Sequence, residues 1–600
     1  MRIVWFGFAL VWLAACCGQG SSPPGASKEF LAVLARAEHG DRAAQSQISY
    51  WYLMGEGVQA DPQQGVVWLR RAAEKGEPMA QCNLGACYYA GQYGVPKDDA
   101  LALKWFEASA AQGCALAICN LGACYLDGRA VKRDYPNAVH CFREAAKRAD
   151  AGAEVYLGIC YLSGLGVERD DHRGFEWFQR AVKHGSIGGL YCLGRCLYDG
   201  RGCRQDYRRA VQSFRKGAEL GSPACEYLLS RCLLEGQGVS ADKKAGLEWL
   251  RKAAEAGHAE AQRRLGRYYL GQRKFGEAVP WLRNAASQGD AFAEFLFGLC
   301  YQNGWGVTKD DKQAVALFRE AADPNQTATP SRPALGTLAH GRSVESVSVP
   351  TFEIEVFGDP ATGLPDAQYA LGSALLRGDL GLAQSTAEGV KWLRRAVAQG
   401  DADAECVLGG HWMERAGDAR HYPEGVDLLK KAVAQGQPMA EGALALCYEM
   451  GRGGVRDPAK AFELMRKAAE QGSAKAAAEL GRYYEGGIGT PPDPKAAFQW
   501  YLKAAEQGDA NAQAWVASAY LIGKAVPKDR VEGFKWVYLA AAQGQADAIR
   551  VRDLILKEWK PEEIAEGKRR AAAFTPKPSW ERHAEGWGVF EDDKPGPAPR

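Results

Sequence analysis

The chain has 600 residues, 47% of them hydrophobic and 10% aromatic, a composition that builds a folded body and not a disordered one. Its 74 Lys and Arg nearly cancel its 72 Asp and Glu, so no net field draws the whole molecule to nucleic acid or to an acidic membrane, and a charged partner must be met locally. Length alone predicts about four domains at roughly 150 residues each, but the spacing of the 70 glycines points to one small unit used many times.

Residues 1–16 read as an export signal. Arg2 precedes an apolar stretch from Ile3 to Leu13, too short to span a bilayer as a helix and suited to the central region of a signal peptide. The stretch ends Leu13-Ala14-Ala15-Cys16, which resembles the bacterial lipobox; that resemblance implies cleavage before Cys16 and a lipid on its thiol. Two acyl anchors would then hold the protein to a membrane, and the lack of an Asp after Cys16 implies an outer-membrane lipoprotein facing the periplasm. The alternatives are an ordinary secretory signal in which Cys16 and Cys17 are incidental, or a cytosolic protein if the segment is no signal. Residues 17–39 form a Gly-, Ser- and Pro-containing tether and a first short helix.

From residue 40 the chain repeats. A marker leucine returns at 84, 121, 157, 193, 229 and 265, and again at 371, 408, 444 and 480, at separations of 36 or 37 residues. Small or apolar residues four before it and a Tyr four after it share its helical face, as in Ala80, Leu84 and Tyr88. Gly85 then marks a close backbone approach. A Gly-x-Gly-Val-like turn follows, as in Gly164 to Val167, and Asp61, Asp170 or Asp242 caps a second helix. That helix reads Trp-Leu-x-x-Ala-Ala-x-x-Gly, so Trp249 is expected to meet the small alanines of a neighbour and Gly257 to close the helix. Nothing alternates with period two, so strands should be nearly absent from the repeats.

These residues resemble the Sel1-like repeat, a relative of the tetratricopeptide repeat. The resemblance implies an all-α fold, a right-handed α-solenoid of about thirteen antiparallel helix pairs, and a concave face that binds protein or peptide partners. Repeats 1–8 occupy 40–322 and repeats 9–13 occupy 365–544, with capping helices at 545–574 and a flexible tail at 575–600. The seventh unit is short, with Leu265 and Phe297 only 32 residues apart, and Val516 replaces the last leucine. Residues 323–364 lack the pattern and are either a repeat decayed beyond recognition or, as the absence of any Leu-Gly or Ala-Ala remnant favours, an insertion or linker; the alternation in Ser343 to Val349 and Thr351 to Val356 predicts a hairpin or extended arm in it.

Seventeen cysteines in an exported chain invite a disulfide framework. Seven of them, Cys87, Cys124, Cys160, Cys196, Cys232, Cys300 and Cys447, stand three residues after the marker. Stacked repeats place equivalent atoms about 10 Å apart, beyond the ~7 Å reach of a bridge, so this column should be a row of small buried hydrophobes. Helical cysteine-rich relatives carry a second cysteine per unit; here only Cys124 and Cys141 could face each other across a hairpin.

Neither His-x-x-x-His nor Cys-x-x-Cys occurs, so the sequence predicts no metal site and no cofactor. Ser213-Phe214-Arg215-Lys216 and Ser240-Ala241-Asp242-Lys243 match Ser-x-x-Lys, the motif of β-lactam-processing enzymes, without Ser-Asp-Asn or Lys-Thr-Gly beside it. A peptidoglycan- or β-lactam-processing enzyme is therefore the alternative to a scaffold that is not an enzyme. On a solenoid the partner meets the exposed strip of the first helices. Two residues either side of the marker this strip gives Tyr191 and Arg195, Tyr227 and Arg231, then Arg263 and Arg267, a ladder suited to a carboxylate-bearing peptide. The competing reading is a solvated helix face.

Overall fold

The computed structural model describes residues 26–323, 363–414, 419–454 and 456–577. The export signal with Cys16, the tether up to residue 25, the extended arm expected within 324–362 and the tail beyond 577 lie outside the described residues. Among the described residues every regular element is a helix, and no helix is long and apolar enough to cross a membrane.

The chain divides into two compact units, one up to Ala261 and one from Gln262 onward. In the first, the leading helix Lys28–Glu38 precedes six helix pairs: Arg42–Met54 with Pro62–Glu74, Pro78–Ala90 with Asp99–Ala110, Ala115–Asp127 with Tyr135–Ala146, Ala151–Ser163 with Asp171–Lys183, Ile187–Asp199 with Tyr207–Glu219, and Pro223–Glu235 with Lys243–Glu255. In the second, the pairs run from Ala259–Gly271 with Phe275–Ser287, through Ala291–Asn303 with Asp311–Ala322 and Pro365–Arg377 with Thr386–Ala398, to Ala546–Glu558 with Pro561–Ala572. Within each unit a helix packs chiefly on its neighbours in sequence, the arrangement of an α-solenoid.

Each turn and cap follows from local chemistry. Asp61, Asp170 and Asp242 accept the amides of Gln64, Arg173 and Ala245 at 3.0 Å, satisfying donors that a helix start leaves open. Gly257, with φ +91°, lies one residue beyond the C-cap Ala256. The second glycine of the Gly-x-Gly turn is there for space as well as for its dihedral. A Cβ on Gly166 would stand 2.4 Å from the carbonyl oxygen of Tyr135, at the start of the preceding unit's second helix. The short seventh unit dispenses with that turn: Arg273, at φ +57°, reverses the chain directly into Phe275–Ser287.

The glycine after the marker meets the second helix. Gly85 faces Phe106, whose ring would lie 2.8 Å from an added Cβ, and Gly194 faces Phe214 at 2.4 Å. This corrects the expectation for Trp249. In three of the repeats the residue after the tryptophan is the buried one, Leu250, Phe178 or Leu393, whereas Trp249, Trp177 and Trp392 stay half-exposed beneath a cation three residues on, with Lys252 Nζ 4.2 Å from the Trp249 ring centroid; Trp68 and Trp536 are buried together with the residue that follows. A bulky indole on the rim, covered by an alkyl stem and its charge, keeps the narrow space between helices for one side chain.

The seven cysteines three residues after the marker are free and buried, and burial pushes their thiols up. Cys141 is free as well, so it forms no bridge with Cys124; its Cβ would lie 3.1 Å from a Cβ added to Gly122, on the helix Ala115–Asp127.

A second recurring column was not anticipated. Three residues before the marker stands a buried Gln or Glu that ties three helices together. Gln81 Nε2 donates to the carbonyl of Ala73, at the end of the preceding unit, and its Oε1 accepts from Gln112 at 2.8 Å, at the end of its own unit. Gln513 does the same with Ala505 and Gln543. Gln368 donates to Ala322 at 3.0 Å, so Pro365–Arg377 docks on Asp311–Ala322 as consecutive repeats dock elsewhere, although 42 residues of chain lie between those helices. The signal was present in sequence as Gln or Glu before the marker and as Gln before the closing glycine.

Candidate partner-binding site

The residues of the expected ladder fall in both units. In the first unit the helices Ile187–Asp199 and Pro223–Glu235 carry four of them. Tyr191 is half-buried and engages Arg195, whose Nε reaches Asp199 Oδ2 at 3.4 Å with the arginine side chain 39% exposed. Arg231 pairs likewise with Glu235 Oε1 at 3.5 Å, at 28% exposure, and its guanidinium lies 5.9 Å from the ring centroid of Tyr198 on the neighbouring helix. Tyr198, five residues after its marker, was not among the expected residues. With it the array consists of Tyr191 beside Arg195 and Tyr198 beside Arg231, on two adjacent first helices.

Tyr227 is a correction. It is 3% exposed, stacks on His258 with ring centroids 4.9 Å apart and donates its hydroxyl to Glu260. The ring is enclosed with His258 and Glu260 as its partners, so it serves packing and offers a partner no surface. In the second unit Arg263 bonds Asp290 Oδ2 at 3.0 Å and stands over Phe292, which ties it to the helix Ala291–Asn303; Arg267 is half-buried.

The arrangement is one of held cations. Asp199 and Glu235 sit one turn after their arginines on the same helices, a spacing at which side chains meet. Each contact is single and partly solvated, so each stabilises by at most about 1 kcal/mol. A carboxylate arriving in the planar, two-pronged geometry that guanidinium favours can replace such a contact.

The serines singled out for enzymatic chemistry sit differently. Ser213 is buried in Tyr207–Glu219 and its hydroxyl donates back to the Arg209 carbonyl at 3.1 Å, the ordinary state of a mid-helix serine. Ser240 lies exposed in a repeat turn, on the rim of an open cleft that Lys243, Arg215, Glu219 and Trp249 also line. Among the described residues no group of three or more His, Cys, Asp or Glu is placed to hold a metal ion.

Comparison with known proteins agrees with the repeat architecture. Over 167 residues the chain is 30% identical to an exopolysaccharide production negative regulator of Rhizobium leguminosarum bv. viciae; the match covers 26% of this chain and 61% of that relative. Among solved structures, a protective antigen of uropathogenic Escherichia coli displaying an SLR fold is 23% identical, with coverage of 95% of this chain and 99% of that one and a TM-score of 0.39. A Sel1 repeat protein from Oxalobacter formigenes is 30% identical, with coverage of 50% and 88% and a TM-score of 0.34. The Sel1 repeat itself matches at residues 42–77, 78–114, 115–150, 151–186, 189–222, 223–258, 259–290, 291–323, 365–401, 438–473, 474–509 and 510–545. With most of its length accounted for in this way, the chain belongs to the Sel1 repeat family.

Proposed function

We propose that the protein is a non-catalytic scaffold that holds a carboxylate-bearing protein segment along the first helices of its repeats, and that a lipid on Cys16 anchors it to the outer membrane facing the periplasm. The observation that carries the binding reading is the array of Tyr191, Arg195, Tyr198 and Arg231, in which two cations stand beside aromatic rings on adjacent helices of the first unit. Membership of the Sel1 repeat family supports it, as does the repeat logic, in which a constant core frees the outer strip to vary. The regulator from Rhizobium leguminosarum is likewise named for control and not for a reaction. Arginine and tyrosine are the residue types that dominate binding where they cluster.

Selection of binders from a random peptide library tests the chemistry. The wild type should enrich Asp- and Glu-rich peptides whose affinity falls with added salt, and Arg195→Glu with Arg231→Glu should lose that enrichment. The same acidic peptides selected by both proteins would reject the array. The anchor has its own test: labelled palmitate should be incorporated by the wild type and not by Cys16→Ala, and equal labelling of the two would overturn it.

A further inference from the structure

Every first helix needs an acceptor at its start, and most repeats provide one: Asp41, Asp150, Ser186, Ser222, Asp290 and Asp509 each accept an amide of the first turn. At the corresponding position before Ala115–Asp127 stands Cys114, which offers a sulfur where those repeats offer an oxygen. Its sulfur meets the thiol of Cys82, on the preceding first helix Pro78–Ala90, and packs against the apolar cluster that contains Cys82, Ala102 and Phe106. Cys82 is wholly buried, and its sulfur also accepts from Asn120 Nδ2 at 3.5 Å. Two bonds hold these segments in register: Ser109 Oγ donates to the Pro78 carbonyl at 2.6 Å, and Gln112 Nε2 donates to Gln81 Oε1 at 2.8 Å. Cys114 itself is partly exposed, so the pair has one accessible sulfur and one enclosed sulfur.

The pair lies outside the cysteine column and away from the arginine array. We propose that Cys114 and Cys82 form a thiol–disulfide exchange site, which reacts with a low-molecular-weight disulfide and closes into a bridge between the first helix of the second repeat and the residue that caps the first helix of the third. The Cys114 thiolate attacks one sulfur of the disulfide, forming a mixed disulfide and releasing one small thiolate. That thiolate takes the proton of Cys82. The Cys82 sulfur then attacks the Cys114 sulfur, forming the protein disulfide and expelling the second small thiolate. Two protein thiols are oxidised and one disulfide is reduced to two thiols, so no further oxidant is required.

The electrostatics agree with this division of roles. Hydrogen bonding from Cys82, aided by the amides of Ala117 and Leu116 at the helix start, lowers the Cys114 thiol to about 6, whereas the described cysteines apart from it are pushed up. Cys114 is therefore the nucleophile and Cys82 the resolving thiol.

The test uses the full chain, reduced and then exposed to oxidised glutathione, with peptide mapping by mass spectrometry. The wild type should yield a linked Cys82–Cys114 peptide, and Cys82→Ala should stop with glutathione on Cys114. Cys114→Ser, which gives the helix the hydroxyl cap used at Ser186 and Ser222, should fold normally and leave Cys82 unmodified. The rate at Cys114 should hold nearly level on acidification until pH about 6 and fall below it, whereas an ordinary thiol loses about tenfold per pH unit throughout. A wild type that stops at the glutathione adduct, an unreactive Cys114, or modification of Cys82 at the wild-type rate in Cys114→Ser would each overturn the proposal.

Discussion

A single methyl group decides how closely the two helices of a repeat approach. At Gly194 an added Cβ would press to 2.4 Å from the Phe214 ring, whereas at Gly442, inside the helix Pro438–Met450, it would meet nothing within 4 Å. Gly194→Ala should therefore destabilise the protein by about 1–3 kcal/mol through overpacking. Gly442→Ala should stabilise it by about 0.5–1 kcal/mol by removing backbone freedom from the unfolded chain. Urea unfolding of the two variants distinguishes a packing glycine from an incidental one. A second residue-scale effect is electrostatic. Burial raises the Asp401 carboxyl to about 6, with Asp403 and Asp366 adding to it, although the residue also accepts the Ala404 amide at 2.6 Å. An acid raised in the folded state contributes stability that is present below its unfolded value of 3.8 and lost as pH rises through about 6. Asp401→Asn keeps a good cap and removes the charge, so its urea midpoint should exceed the wild type's above pH 6 and match it below pH 3.8. Equal midpoints at both ends would contradict this account.

At the scale of the element, the units are latched by groups that sequence periodicity hid. Gln81, Gln368 and Gln513 bind the helix before and the turn after, and arginines in the repeat turns reach back to the preceding unit: Arg129 donates to the Tyr89 carbonyl at 2.9 Å, and Arg201 to that of Leu162 at 2.6 Å. The helices themselves were legible because leucine, small residues and tyrosine recur on one face, and the caps because Asp recurs before the second helix. The latches were not, because a lone polar residue on an apolar face reads as solvent-exposed until its partners, about thirty residues away, are known. Trp249 misled for a related reason: size suggested burial, while the buried position in this helix is taken by the next residue, Leu250. Gln368→Ala should remove the latch between Asp311–Ala322 and Pro365–Arg377 and cost about 1–3 kcal/mol. Hydrogen exchange should then accelerate in Pro365–Arg377 more than in Pro438–Met450; uniform protection would show the latch to be dispensable.

For the whole molecule, near-neutral composition conceals a local pattern of cations and rings, and only part of it could be placed from spacing. Helical rotation identified Arg195 and Arg231 as surface positions, and both are partly exposed. It misplaced Tyr227, since rotation gives the direction of a side chain but not the space into which a large ring can fold, and it passed over Tyr198, which lies outside the strip by register yet meets Arg231. The carboxylates Asp199 and Glu235 were visible in sequence, but their pairing with the arginines was not. The measurement that most directly tests the scaffold reading is crosslinking from a membrane fraction, with the crosslinked positions mapped by mass spectrometry in the wild type and in Arg195→Glu with Arg231→Glu. The account predicts a protein partner crosslinked to the helices Ile187–Asp199 and Pro223–Glu235 of the wild type and absent from the variant. Capture of the same partner by both, or crosslinks confined to other helices, would contradict it.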